Sequence, residues 1–313
     1  MAPETGAPAA DKVILGANAY CWDLEQQNRL LTSCLAPLLA ELERSGAPCR
    51  LFFDRHDTRG PHLLLLLAVP ASSRAAAGRL FAERLEAFLE KLEPPRTSAE
   101  DALLCHRAIG GRVFAEPDRG EDLAERGSCV FFEQPEKGWP FAFAAELSPA
   151  CREAVWDGAD RLARGVIARL DAGGGKIATA QAGLLVAAFD EALGLAEADR
   201  AAFWRFYCGT FLYTLEEEIE RDPDLSSRIE AGIGRNREIF DRIWAAGAKA
   251  AAWPEAKDWA RALGESYRHT GRWRLPRELL HTTLKQLMLH PRSELPLAFY
   301  AWHRSLKAAE ENA

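Results

Sequence analysis

Arg55, His56, Asp57, Arg59 and His62 fall within eight consecutive residues, inside the run CRLFFDRHDTRGPHLLLLLAVP from Cys49 to Pro70. A guanidinium keeps its charge at neutral pH and can stabilise a developing anion, an imidazole can move a proton near neutrality, and a carboxylate can orient either. Two more residues of the same kinds lie far along the chain, Arg107 in CHRAIGG and His281 in LHTTLKQLM. Taken alone, each has an ordinary reading. A charged segment between apolar runs is often a solvated turn, and a histidine on an amphipathic helix is most often structural.

The elements that must hold these groups follow from hydrophobic patterning. Leu51 to Phe53 and Leu63 to Val69 are short apolar runs bounded by turn residues, which predicts two antiparallel strands joined across Asp54 to His62. Polar side chains would then gather at one end of a sheet. Before this hairpin, Val13 to Trp22 predicts a first strand interrupted by Gly16. Leu30, Leu31, Cys34, Leu35, Leu38, Leu39 and Leu42 then recur at helical spacing between Leu24 and Arg44, with Asp23 as candidate cap and Gly46 as terminator. After it, Ser72 and Ser73 open a helix to Leu92 that presents Leu80, Leu85, Phe88, Leu89 and Leu92 and is stopped by Pro94-Pro95.

Thr97 or Ser98 can cap a short helix to Ala108, after which Gly110-Gly111 and Pro117-Asp118-Arg119-Gly120 mark turns. Ser128 to Glu133 and Phe141 to Leu147 read as another hairpin, bringing the sheet to about five strands. From Ser148 onward the period is helical. Candidate helices run over 149–170, 177–193, 196–219, 225–245, 255–267, 276–289 and 293–309, separated by glycine- and proline-containing stops. The fold class expected is therefore α+β, a mostly antiparallel N-terminal sheet with flanking helices followed by a helical C-terminal half. The division expected is a flexible tail over 1–12, a sheet-containing part over 13–147 and a helical part over 148–313.

The run FFDRHDTRGPHLLLL resembles the opening of the lantibiotic dehydratase C-terminal (elimination) domain, which also occurs as stand-alone thiopeptide-type bacteriocin biosynthesis proteins. Arg55 answers the family's arginine, Asp57 supplies its acid, His56 stands at its usual tyrosine, and Gly60-Pro61-His62 matches its GPH. Leu64 and Leu66 stand where the family often has arginine. Arg107, near Gly110-Gly111, lies one residue out of register with the family's second arginine before a Gly-Gly. In LHTTLKQLM, His281 and Leu287 match the His and Leu of the family's HxxxNRL, while Lys285 and Gln286 replace Asn and Arg.

The resemblance implies the α+β layout, packed as one unit around a shared cleft, and an enzyme that tailors ribosomally synthesised peptides. In the family's elimination reaction a glutamylated Ser or Thr loses its Cα proton and then glutamate, leaving a dehydroamino acid. Arg55, Arg107 and His281 would be the catalytic set, with His56, Asp57 and His62 on the substrate. The resemblance implies no cofactor. It implies a precursor peptide of leader plus core as substrate and a separate tRNA-dependent glutamylating enzyme as partner, and a homodimer is compatible with it. Two alternatives share the fold: a pyridine-forming [4+2] cycloaddition enzyme acting on dehydrated peptides, and a non-catalytic precursor-peptide scaffold.

Composition narrows the field. An apolar fraction of 48% with 27% charged residues is that of a globular chain able to bury a large core. A net charge of −7 provides no general field for a phosphate backbone, so direct nucleic-acid binding is not expected. The seven cysteines are scattered without a C-x-x-C pair, which fits thiols used as small apolar residues in a reduced, cytoplasmic protein and gives no metal site. MAPETGAPAADK lacks the basic and apolar regions of a signal peptide, and no apolar stretch approaches the ~18 residues that span a bilayer.

Several motifs carry no chemistry. Gly173-Gly174-Gly175-Lys176 lacks P-loop spacing, and Gly232-Ile233-Gly234 lacks both a third glycine and a preceding strand. The aromatics Phe203, Trp204, Phe206, Tyr207, Phe211 and Tyr213 read as core packing, and Glu216 to Glu218 with Glu220 as a solvated helix end.

Overall fold

The computed structural model describes residues 12–56, 59–96, 98, 100–101, 123–135, 149–174, 179–214, 224–249, 253–270, 280–284, 286–287 and 291–311. Strands β1 (Lys12–Ala19), β2 (Arg50–His56), β3 (His62–Pro70) and β4 (Cys129–Pro135) form one antiparallel sheet in the order β2-β3-β1-β4. The expected strand over 141–147 lies outside the described residues. Leu63 to Val69 are each 8% exposed or less, so both faces of the central strand β3 are covered. That is why its sequence reads as an unbroken apolar run and not as an alternation. Leu64 and Leu66 are core residues here. Each such leucine contributes about 1.5–3 kcal/mol through burial.

Gly16 pairs with Phe132 across β1 and β4, and a Cβ at Gly16 would come within 2.1 Å of the Phe132 ring. The glycine expected to interrupt the strand instead lets an aromatic ring lie across it.

The helical rod after β1 is continuous but not uniform. Helix α1 (Leu24–Arg29) passes through a π-helical segment, Leu30–Leu35, into α2 (Ala36–Arg44). The Ala36 N–H reaches back five residues to the Leu31 carbonyl. Pro37 follows at once, and because it has no N–H to offer Ser33, the local rearrangement falls where an α-helical bond was already lost. Asp23 does not cap α1; its Oδ2 accepts the Arg96 backbone N–H instead. Gly46, at φ +76°, ends the rod as expected, with Ala47 N–H to Leu42 O and Gly46 N–H to Glu43 O forming a Schellman arrangement.

Helix α3 (Arg74–Leu89) buries Ala77, Phe81, Leu85 and Leu89, a strict every-fourth stripe; of the face expected from sequence, Leu80, Phe88 and Leu92 are only half-buried. Ser98 Oγ accepts the Asp101 N–H, the capping bond anticipated there.

From Pro149 onward the described chain is helical: α4 (Pro149–Ala172), α5 (Thr179–Ala192), α6 (Glu197–Thr214), α7 (Leu225–Arg235), α8 (Arg237–Gly247), α9 (Pro254–Thr270) and α10 (Pro291–Glu311), with residues 280–284 and 286 also helical. The single helix expected over 225–245 is two helices. Asn236, at φ −111°, breaks it, and its side-chain amide bonds to the Gly232 carbonyl.

Two compact units emerge. One comprises residues 1–145 and 163–176, and the other 146–162 and 177–313. In the first, α3 lies against β1, β3 and β4, and Arg164 donates to the Cys49 carbonyl and pairs with Glu43. In the second, α6 packs on α10, and α5 on α8 and α9. Its core is aromatic, with Phe189, Phe203, Trp204, Tyr207 and Trp259 all at 2% exposure or less. No described helix is long and apolar enough to cross a membrane.

Candidate functional site

Asp54, Arg55, His56 and His62 are not in a loop. They are strand residues, paired in register as Asp54↔Leu64, Arg55↔Leu63 and His56↔His62, so the connection shortens to residues 57–61. The strands run further than hydrophobicity alone predicts because each polar side chain finds a partner within the fold.

Arg55 is 7% exposed. Its Nη1 donates to Gln27 Oε1 at 2.6 Å and its Nη2 to Asn28 Oδ1 at 2.7 Å, tying β2 to α1. Burial pushes its pKa down to about 10, against the pull of the neighbouring Asp54 carboxylate, which leaves it cationic at neutral pH. Gln27 in turn donates to the Cys21 carbonyl, and Gln26 to that of Glu93. The triplet Gln26-Gln27-Asn28, all buried, is the part of this cluster that sequence reasoning missed. Three successive amides entering an otherwise leucine-rich helix were the available signal.

Beside Arg55, Asp54 Oδ1 accepts the Arg55 backbone N–H at 2.7 Å and Oδ2 lies 2.9 Å from His56 Nε2. The His56 and His62 rings stack at 5.6 Å, and Tyr20 lies 4.7 Å from His62. His62 Nδ1 is 2.9 Å from the Gly60 carbonyl, so that nitrogen is the protonated one. His62 is 1% exposed and His56 is half-buried. The structure thus places Arg55, His56 and His62 at one end of the sheet but on two faces, Arg55 against α1 and the His56–His62 pair on the other side, while Asp57 and Arg107 lie outside the described residues.

In the second unit, His281 is 5% exposed and its Nδ1 lies 3.0 Å from Glu294 Oε2 and 3.3 Å from Oε1. Glu294 is 0% exposed, sits in the first turn of α10, and also accepts the Tyr207 hydroxyl on Oε1. Neither Glu294 nor the role of Tyr207 was legible in the sequence. Tyr207 does pack among aromatics as expected, 6.0 Å from Phe203 and 5.4 Å from Trp204, but its hydroxyl serves a carboxylate.

A second buried carboxylate, Asp190, accepts the indole N–H groups of Trp204 at 2.7 Å and Trp244 at 3.2 Å. Burial holds its carboxyl above the usual range, opposed by Arg200 and by the two indoles. Burial likewise pushes the Cys21, Cys129 and Cys208 thiols up to about 12, which makes them inert at neutral pH. Among the described residues no group of three His, Cys, Asp or Glu side chains could hold a metal ion.

Cavities open among the described residues of the helical unit. One of about 910 Å³ is lined by charges of both signs, among them Arg200, Arg237, Arg304, Glu197, Glu230 and Asp241. Another, about 840 Å³, is mainly apolar, with Phe206, Trp302 and Leu306 in its walls. His281 lines neither of these two.

Comparison with known proteins supplies a context for these clusters. No curated protein sequence matches the chain significantly. Among solved structures, the pyridine synthase TbtD from thiomuracin biosynthesis is similar at a TM-score of 0.65 and 17% identity, over 97% of this chain and 100% of that one. The tRNA-dependent lantibiotic dehydratase MibB from Microbispora sp. 107891 is similar at a TM-score of 0.55 and 18% identity, over 99% of this chain but 29% of that one. At such identities these likenesses establish the shared fold. Residues 15–111, which contain Arg55, His56 and His62, match the model of the lantibiotic biosynthesis dehydratase C-terminal family, and this is the family that the chain resembles in both sequence and fold.

Proposed function

We propose that this chain is a tailoring enzyme of ribosomally synthesised peptides, eliminating glutamate from glutamylated Ser or Thr. The observation that carries the reading is the carboxylate-held imidazole, His281 Nδ1 at 3.0 Å from Glu294, because the reaction needs a base for a weakly acidic Cα proton. In this mechanism His281 takes the Cα proton, the Cβ–O bond breaks, and glutamate leaves as its carboxylate while the Cα=Cβ bond forms. Glu294 stabilises the imidazolium that results. Arg55, cationic at neutral pH, supplies positive charge toward the enolate or the leaving carboxylate, with Arg107 as the second guanidinium. His56, Asp57 and His62 are assigned to the peptide, and of the two histidines His56 is the more exposed. The substrate is a precursor peptide already glutamylated by a separate tRNA-dependent enzyme, the cytoplasm is the place for such a step, and no cofactor is called for.

Incubating the full-length chain with a synthetic peptide carrying one O-glutamyl serine tests this directly. Free glutamate and a dehydroalanine-containing peptide are the expected products, and His281→Ala should slow their formation by about 10²–10⁴-fold. Unchanged release in that variant would remove His281 from the role of base.

A second reading has one observation of its own. The likeness to the pyridine synthase covers 97% of this chain and 100% of that one, whereas the match to the dehydratase covers 29% of that protein. A [4+2] cycloaddition between two dehydroalanines would give a six-membered ring and a released leader peptide with no glutamate, so mass analysis of a bis-dehydroalanine peptide separates the two.

A further inference from the structure

We propose that Glu294 is a positioning residue that fixes His281 as its Nδ1–H tautomer and thereby makes Nε2 the nitrogen that exchanges protons. The inference rests on the elimination reading for its reaction but not for its geometry. Three separate segments converge on one point: Tyr207 from α6, Glu294 from the start of α10, and His281 from the helical stretch 280–284. All three are buried.

An ionised carboxylate can only accept hydrogen bonds. Glu294 stands in the first turn of a 21-residue helix, where the backbone N–H groups and the helix dipole favour negative charge. It receives the Tyr207 O–H on Oε1, which restrains rotation of the carboxylate and keeps the second oxygen pointed at the imidazole. The ring nitrogen 3.0 Å from that second oxygen must then carry the hydrogen. A neutral His281 consequently holds its lone pair on Nε2, and the imidazolium formed when Nε2 takes a proton is stabilised by the negative charge beside Nδ1. Tyr207 is itself immobilised by Phe203 and Trp204, so the orientation is set by packing before substrate arrives.

The tautomer can be read without any substrate. Long-range ¹H–¹⁵N correlation spectra of the full chain, labelled with ¹⁵N-histidine, resolve the seven imidazoles, and His281→Gln identifies the one that matters. At a pH where the ring is neutral, the expected pattern for His281 is a protonated Nδ1 and an unprotonated Nε2. Glu294→Gln should abolish that preference, and Tyr207→Phe should weaken it while leaving far-UV circular dichroism unchanged. With the O-glutamyl serine peptide, Glu294→Gln should release glutamate about 10–100-fold more slowly. A wild-type His281 protonated on Nε2 overturns the inference without need of any variant, as does an unaltered tautomer in Glu294→Gln. If the tautomer is as expected but the wild type releases no glutamate, the positioning role stands and the elimination reading falls.

Discussion

Buried charged groups in the two units, Arg55 in one and Glu294 and Asp190 in the other, are held in different ways. In the sheet unit a cation, Arg55, is held by the neutral amide oxygens of Gln27 and Asn28. In the helical unit two carboxyl groups are held by donors, Glu294 by Tyr207 and His281 and Asp190 by the indoles of Trp204 and Trp244. The amide oxygens satisfy the guanidinium's geometry without removing its charge, and the Asp54 carboxylate beside it favours that charge. A carboxylate beside an imidazole does something else, since it biases where a proton sits. The first arrangement suits a fixed positive charge and the second a mobile proton, the two needs of the elimination proposed above.

The largest stability effect expected from breaking this contrast is at Arg55. Arg55→Ala strands the Gln27 and Asn28 oxygens in the core and should cost about 3–5 kcal/mol, read as a fall in the urea midpoint. Arg55→Lys keeps the charge but cannot fork to both amides, and recovery of full stability in that variant would show that the charge, and not the bidentate hold, is what the fold requires.

Asp190 sharpens the other side of the comparison. Because burial raises its carboxyl in the folded state, the native protein takes up the proton more readily than the unfolded chain. The wild type's advantage over Asp190→Asn should therefore be full below about pH 4 and shrink as pH rises through the folded-state midpoint. Urea midpoints for both proteins between pH 4 and 8 test the sign. An advantage that grows with pH would mean that the indoles and Arg200 outweigh the cost of burial.

The smallest effect belongs to charge at the surface. Arg74 pairs with Glu133, but both side chains are about half exposed. Arg74→Ala should leave the thermal midpoint unchanged within error. A measurable drop would mean that surface pairing also matters to strand β4.

These contrasts were unevenly legible in the sequence. Periodicity exposed the strands, the leucine-rich rod and the helical half, because the burial of an apolar face does most to decide which element a segment forms. It placed the end of the hairpin wrongly: Asp54, Arg55 and His56 look like turn residues until the partners that satisfy them inside the sheet are known. Asn236 was invisible for a related reason, since a helix break made by one side-chain amide leaves the apolar spacing on either side intact. Arg55 and His281 could be singled out by motif. Their holders, Gln27, Asn28, Tyr207 and Glu294, could not, since 13 residues of chain or more separate each holder from the group it holds.

The π-helical segment Leu30–Leu35 has a consequence for how the first unit can vary. By inserting a wider turn it shifts the angular frame of the rod, so that α1 can aim Gln27 and Asn28 at the arginine while α2 aims Leu38, Leu39 and Leu42 into the core. The two halves answer to different addresses. Deleting one residue within 30–35 would restore an unbroken α-helical phase and force one address to be given up, whereas a conservative substitution in the same six positions would disturb neither. In such a rod, length is under tighter constraint than identity.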